Sequence, residues 1–214
     1  MKNMFLFLSF LALFFLNVNG HLKGHCSSTS RMTMERCYHD YFKSYAIGSD
    51  EISVETFNKK LEQQLLTWKG VENVCQNFNG LKKCIGSEIA YDCMNLENFN
   101  KLTIALEEKA AETYVSHFFT TNYACNDGFK KLQSSFECYK NIGIHFDAST
   151  LPTECSSSEA EIDAMAKKVE EACDKTAADF AKTYKRIELC HILPDCNVCK
   201  KQLKNRHKFF LKWV

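Results

Sequence analysis

The chain has 214 residues, with 27 Lys and Arg against 26 Asp and Glu, 12 cysteines, 8 glycines and 2 prolines. Balanced charge leaves no overall field to recruit nucleic acid, and so few glycines and prolines exclude collagen, a turn-rich β-sandwich or a flexible linker. With 25% charged and 45% hydrophobic residues the composition is that of a globular chain, not a disordered one.

Residues 1–20 read as a secretory signal peptide. Met1-Lys2-Asn3 is a short basic start, Met4 to Leu16 is almost unbroken Phe and Leu, and Val18-Asn19-Gly20 offers a cleavage site. The apolar run is too short for the roughly 30 Å hydrocarbon core. Residues 21–214 then form a single cysteine-rich helical domain, expected to be secreted and extracellular, with no later stretch apolar enough to span a bilayer and no retrieval tetrapeptide at the end.

The mature chain carries helical spacing nearly throughout. Met34, Tyr38, Tyr41, Phe42 and Tyr45 predict a first helix. Val54, Phe57, Leu61, Leu65 and Trp68 predict a second, with Ser53 as N-cap and Gly70 as stop. Val74, Phe78, Leu81 and Ile85 form the next stripe, ending at Gly86. Phe99, Leu102, Leu106, Ala110 and Tyr114 predict one long helix running toward Tyr123, and Phe129, Leu132, Phe136 and Tyr139 another. Ile162, Met165, Val169, Cys173, Phe180, Tyr184 and Ile187 predict a last long helix, with Ser156, Ser157 and Ser158 as cap candidates. Strand-like alternation is confined to Ile142–Phe146. The fold class is all-α, a disulfide-stapled multi-helix domain.

The cysteines are Cys26, Cys37, Cys75, Cys84, Cys93, Cys125, Cys138, Cys155, Cys173, Cys190, Cys196 and Cys199. An even number in an exported chain predicts that all twelve form disulfides. Geometry removes some pairings: on one straight helix Cys26 and Cys37 would lie ~16 Å apart, beyond disulfide reach. Cys75, Cys84 and Cys93 recur every nine residues, half a revolution of helix, so consecutive members staple different neighbours. Cys26, Cys37 and Cys75 are echoed about one hundred residues later by Cys125, Cys138 and Cys173, and Cys37-Tyr38 by Cys138-Tyr139. Read as two duplicated helical units, this echo makes Cys37–Cys75 and Cys138–Cys173 equivalent cross-links.

Few residue groups suggest chemistry. Cys37-Tyr38-His39-Asp40 resembles the helix motif of secreted phospholipase A2, where a His–Asp pair activates water beside calcium, but the glycine-rich calcium loop is missing upstream. Its expected role is an exposed histidine and carboxylate on a helix. Cys190, His191, Cys196 and Cys199 have zinc-ligand types and a C-x2-C spacing, yet in an oxidising compartment these cysteines are expected in disulfides. No G-x-S-x-G, H-E-x-x-H, Walker or EF-hand motif occurs. His117, His145 and His207 show no partner in sequence. Asn-x-Ser/Thr is absent; Asn73 and Asn197 sit only in the cysteine variant. After Asp195, Lys200, Lys201, Lys204, Arg206, Lys208 and Lys212 flank an apolar face of Leu203, His207, Phe210, Leu211 and Val214. This is either a surface for anionic lipid, glycan or a partner, or a final helix docked on the core.

The leader, the helical domain size, the paired C-x8-C-x8-C spacings and the Cys-Tyr sites resemble a nematode-expanded family of secreted proteins, the cysteine-rich domain of unknown function nineteen, over roughly Cys26 to Cys199. The resemblance implies an extracellular, disulfide-rich protein and transfers no catalytic residue. The chain is expected not to be an enzyme; of three functions weighed, the first is the expected one and the second its alternative. The first is a non-enzymatic extracellular module that binds an unidentified protein. The second is a carrier of lipids or small apolar ligands, since twelve phenylalanines follow the leader and could line a cavity. The third is a hydrolase resting on His39 and Asp40. No cofactor or metal is expected.

Overall fold

A computed structural model describes residues 26–144 and 153–200. The leader, the C-terminal stretch beyond Lys200, His145 and Phe146 lie outside the described residues. The described residues form nine α-helices and one 3₁₀ turn, with no strand. Caps account for most boundaries. Helix α1 (Ser28–Lys43) starts where the Ser27 hydroxyl oxygen accepts from the Ser30 N–H at 3.0 Å. Helix α2 (Val54–Leu65) starts at Ser53, as expected, with the Thr56 N–H donating to Ser53 Oγ at 3.1 Å. Helix α3 (Trp68–Ile85) ends at Gly86, whose φ of 76° lies where glycine carries no Cβ penalty. The short helix α4 (Ser87–Cys93) follows at once.

Gly70 does not stop a helix. Helix α2 ends at Leu65, and the Thr67 hydroxyl caps α3 by accepting from the Gly70 N–H at 3.0 Å. Gly70 therefore sits in the first turn of α3, and Trp68 belongs to α3, its ring packed on Phe129 and Phe136. A Cβ at position 70 would lie 1.7 Å from the Gln64 carbonyl oxygen, so the glycine lets two helix ends meet.

Two helices expected to be continuous are broken. The stretch from Phe99 to Tyr123 is a one-turn α5 (Leu96–Phe99), a 3₁₀ turn (Thr103–Ala105) and then α6 (Ala110–Cys125), with Leu106 83% exposed. Distant carboxylates hold the break. Glu35 on α1 accepts from the Thr103 N–H and hydroxyl, and Glu107 accepts from the Val54 N–H at 2.8 Å. After α7 (Phe129–Asn141) and a turn at Gly143 (φ 66°), the last stripe divides into α8 (Cys155–Ala172) and α9 (Lys175–Ile192). Asp174 divides them by accepting from the Ala177 N–H at 2.8 Å, so the chain turns back and α8 packs along α9. The serines at 156–158 fall inside the first turn of α8, whose N-cap is Glu154.

Two large apolar cores result, with a smaller cluster of Ile162, Leu189, Cys190, Cys196 and Cys199 around the end of α9. The first gathers α1 to α6 around an aromatic cluster in which Phe42 meets Phe57 and Tyr114 at centroid distances of 5.4 and 5.2 Å, and Tyr38 meets Phe99 edge-on at 4.9 Å. The second packs the start of α3 and the end of α6 against α7, α8 and α9, with Phe180 fully buried. Helix α6 serves both.

All twelve cysteines pair, and none is free. The bridges are Cys26–Cys93, Cys37–Cys84, Cys75–Cys125, Cys138–Cys173, Cys155–Cys196 and Cys190–Cys199, with Cα separations of 4.9, 5.7, 5.3, 5.9, 5.4 and 5.2 Å. Cys138–Cys173 matches the expected pairing. Cys37–Cys75 is corrected: Cys37 meets Cys84 one end of α3 away, and Cys75 reaches Cys125 at the end of α6. The bonding of the two halves therefore does not repeat. Bridges closing 47 to 67 residues each restrict the unfolded chain by about 4 kcal/mol, against about 2.6 kcal/mol for Cys190–Cys199 with its separation of 9. Such wholesale pairing belongs to an oxidising environment. No described helix is long and apolar enough to cross a membrane.

The two glycines of α3 should respond in opposite ways to Ala. At exposed Gly80 nothing lies within 4 Å of a new Cβ, so Gly80→Ala should stabilise by about 0.5–1 kcal/mol. Gly70→Ala forces α2 from α3 and should cost about 1–3 kcal/mol or more. Thermal denaturation of both variants under non-reducing conditions checks the pair.

Candidate functional site

Where the two cores meet, a cavity of about 100 Å³ is walled by α2, α3, α6, α7 and α9. Its surface is mostly apolar, from side chains such as Leu65, Val74, Leu132, Phe136 and Phe180. Cys75–Cys125 forms part of the wall and clamps α3 to α6 beside it. Glu62 and Lys140, one charge of each sign, also line it through exposed residues.

The polar side of the cavity belongs to α6. From Thr113 to Cys125 this helix carries no Lys, Arg, Asp or Glu, and thirteen of its sixteen residues are buried. Such a helix has no solvent face, so its polar side chains must find partners inside. Thr120 donates to the Ser116 carbonyl at 2.9 Å, and Ser116 lies 3.5 Å from Glu188, itself paired with Lys185 at 2.8 Å. His117, 5% exposed, sits in a chain of hydroxyls. Its Nε2 is 2.7 Å from the Tyr41 hydroxyl, which is 3.0 Å from that of Tyr45, and its Nδ1 is 3.2 Å from the Thr121 hydroxyl. The Phe57 ring meets the imidazole edge-on at 4.9 Å. Burial pushes the His117 pKa from 6.5 down to about 3, and pushes the Tyr45 hydroxyl up to about 12. The whole chain is thus neutral at physiological pH.

Thr121 and His117 have the outline of a nucleophile with its base. An imidazole with a pKa near 3 is a weak base at neutral pH, and the backbone amides around them lie inside α6, where they are committed to the helix. The arrangement suits hydrogen bonding better than proton abstraction.

The residues singled out in sequence fall elsewhere. His39 and Asp40 are neighbours on α1; His39 is half-buried, while Asp40 is exposed and 3.8 Å from Lys43. Cys190 and Cys199 bond to each other and Cys196 to Cys155, while the His191 ring stacks on Phe119 with centroids 3.4 Å apart. Among the described residues no three His, Cys, Asp or Glu side chains cluster to hold a metal. Lys200 donates to Asn197 at 2.8 Å; the rest of the basic C-terminal stretch lies outside the described residues. His117, which showed no partner in sequence, is the histidine at the cavity. The signal that could have found it is the charge-free run from Thr113 to Cys125, which leaves any histidine within it buried. Neither family models, curated proteins nor solved structures yield a match to this chain.

His117 gives stability a defined pH dependence. Its folded pKa is depressed, so its contribution is complete above the unfolded value of 6.5 and falls as pH drops toward 3, by about 1.4 kcal/mol per pH unit. Denaturant unfolding at pH 7 and pH 4 should show wild type losing more stability than His117→Gln, which keeps a hydrogen-bonding side chain and cannot titrate.

Proposed function

We propose that this chain is a secreted, non-enzymatic binding protein that carries a small apolar ligand in the cavity between its two cores. The observation that carries this reading is the cavity itself. Protein interiors are packed to near crystal density, and a void with one polar side is the usual form of a small-molecule site. Here the void adjoins a disulfide whose clamp fixes α3 and α6, two of its walls, relative to each other. Pre-organisation of that kind lowers the ordering cost of binding.

Secretion is supported by the leader and by six disulfides, which persist in oxidising compartments. The resemblance in cysteine order to the nematode secreted family agrees with an extracellular role and adds no residue function. The described hydrogen-bond partners of His117 are the Tyr41 and Thr121 hydroxyls, a setting that suits holding a neutral imidazole in place. Partnership with an extracellular protein has weaker support. The exposed large side chains Met32 on α1, Leu66 just after α2, Tyr91 on α4 and Leu106 just after the 3₁₀ turn are scattered along the chain, and isolated apolar residues are ordinary on any surface.

Native mass spectrometry of protein purified from culture medium, with its disulfides intact, tests the proposal. A small adduct retained under native conditions and lost on denaturation is expected, as is an upward thermal shift with hydrocarbons of about six carbons. Protein that is empty as isolated and shows no shift with any small apolar compound would return the function to surface recognition of another protein.

A further inference from the structure

We infer that the cavity recognises a small neutral alcohol, its hydroxyl held by Thr121 and its hydrocarbon body lying among the α3, α7 and α9 side chains. The inference rests on the carrier reading above and specifies what is carried.

The argument starts from hydroxyl valence. Thr121 lines the cavity, is 5% exposed, and meets only His117 among its described side-chain hydrogen bonds. A threonine hydroxyl offers one donor and two acceptor positions, so one bond to the imidazole leaves capacity over. Which capacity remains depends on the direction of the chain. If Nε2 carries the His117 proton, it donates to Tyr41, Thr121 donates to Nδ1, and the Thr121 lone pairs stay open. If Nδ1 carries the proton, it donates to Thr121, and the Thr121 O–H is left to donate. An alcohol both donates and accepts, so it completes the chain in either direction. A ketone or ether satisfies only one, and a hydrocarbon neither. The other cavity hydroxyl with a described bond, Tyr139, is committed to the Ala177 carbonyl at 2.6 Å.

Neutrality follows from what surrounds the polar side. His117 is uncharged near pH 7, and Glu62 and Lys140 supply one charge of each sign on exposed residues. A carboxylate drawn in to Thr121 would be desolvated with no buried countercharge, which is costly. Size follows from volume. An apolar cavity of ~150 Å³ holds a benzene, so one of about 100 Å³ encloses roughly four non-hydrogen atoms, and a longer chain runs out on the side where exposed Glu62 and Lys140 line it.

Isothermal titration of the intact oxidised protein with 1-pentanol, n-hexane and butanoate tests this, using wild type, Thr121→Val and Thr121→Ser. Valine copies threonine's shape without its hydroxyl. Pentanol affinity should fall about tenfold in Thr121→Val and return in Thr121→Ser, while hexane affinity is unchanged. Butanoate should bind more weakly than pentanol. Pentanol, but not hexane, should also shift the ring ¹⁵N resonances of His117 in wild type, a readout needing no variant to fold. Equal pentanol affinity in wild type and Thr121→Val, an unmoved His117 signal, or tighter binding of butanoate would overturn the alcohol inference while leaving hydrocarbon binding standing. Binding of neither pentanol nor hexane would overturn the carrier reading with it.

Discussion

The structure depends on one constraint, the burial of α6 on every side. A helix with no solvent face cannot be covered by a single layer of partners. Contacts come from α3, α5, α7 and α9, and the chain must wrap it from both directions. The first half does so with rings from α1 and α2, the second with α9 backed by α8. Two cores, rather than one, follow from wrapping a long central helix with short elements.

That burial also explains the polar network. Thr113, Ser116, His117, Thr120, Thr121 and Asn122 are buried together on α6, and a buried polar group without a partner costs about 1–3 kcal/mol. Tyr41, on α1, meets the imidazole, so the network ties the first helix to the central one at a site 76 residues away in sequence. Fully apolar packing would hold α6 as firmly but would not fix its rotation. Hydrogen bonds to named atoms do, and a fixed rotation sets which α6 side chains reach the cavity.

What was legible in the sequence is what local physics decides. Ser53 and Gly86 mark helix ends because a cap needs only its own turn, and the Phe129–Tyr139 stripe folds as read because its apolar period is uninterrupted. The breaks at Thr103 and Asp174 were missed for different reasons. Asp174 is itself an N-cap residue, masked by apolar spacing that happens to run in phase across the turn. At Thr103 the decisive groups are Glu35 and Glu107, bonded to segments 68 and 53 residues away. Gly70 misled because a glycine after an apolar stripe signals a stop, whereas here it relieves contact between consecutive helices. Disulfide partners were beyond reach for the same reason: Cys75 selects Cys125 only once α3 and α6 lie together.

The cavity is the place where these two levels meet. Helix α6 faces the first core with Tyr114, Phe118 and Phe119, stacks Tyr123 on Phe180 in the second, and turns Thr121, Ala124 and Cys125 to the cavity. Large rings fill the two cores, and the small side chains between them leave the cavity. In a chain without cross-links, such a void invites the surrounding helices to close in, since each cubic ångström left empty costs roughly 24 cal/mol. Cys75–Cys125 fixes α3 and α6 relative to each other at the cavity wall, with Cα atoms 5.3 Å apart. A bridge at this point therefore does more than restrict the unfolded chain: it sets the relative position of two helices that wall the cavity.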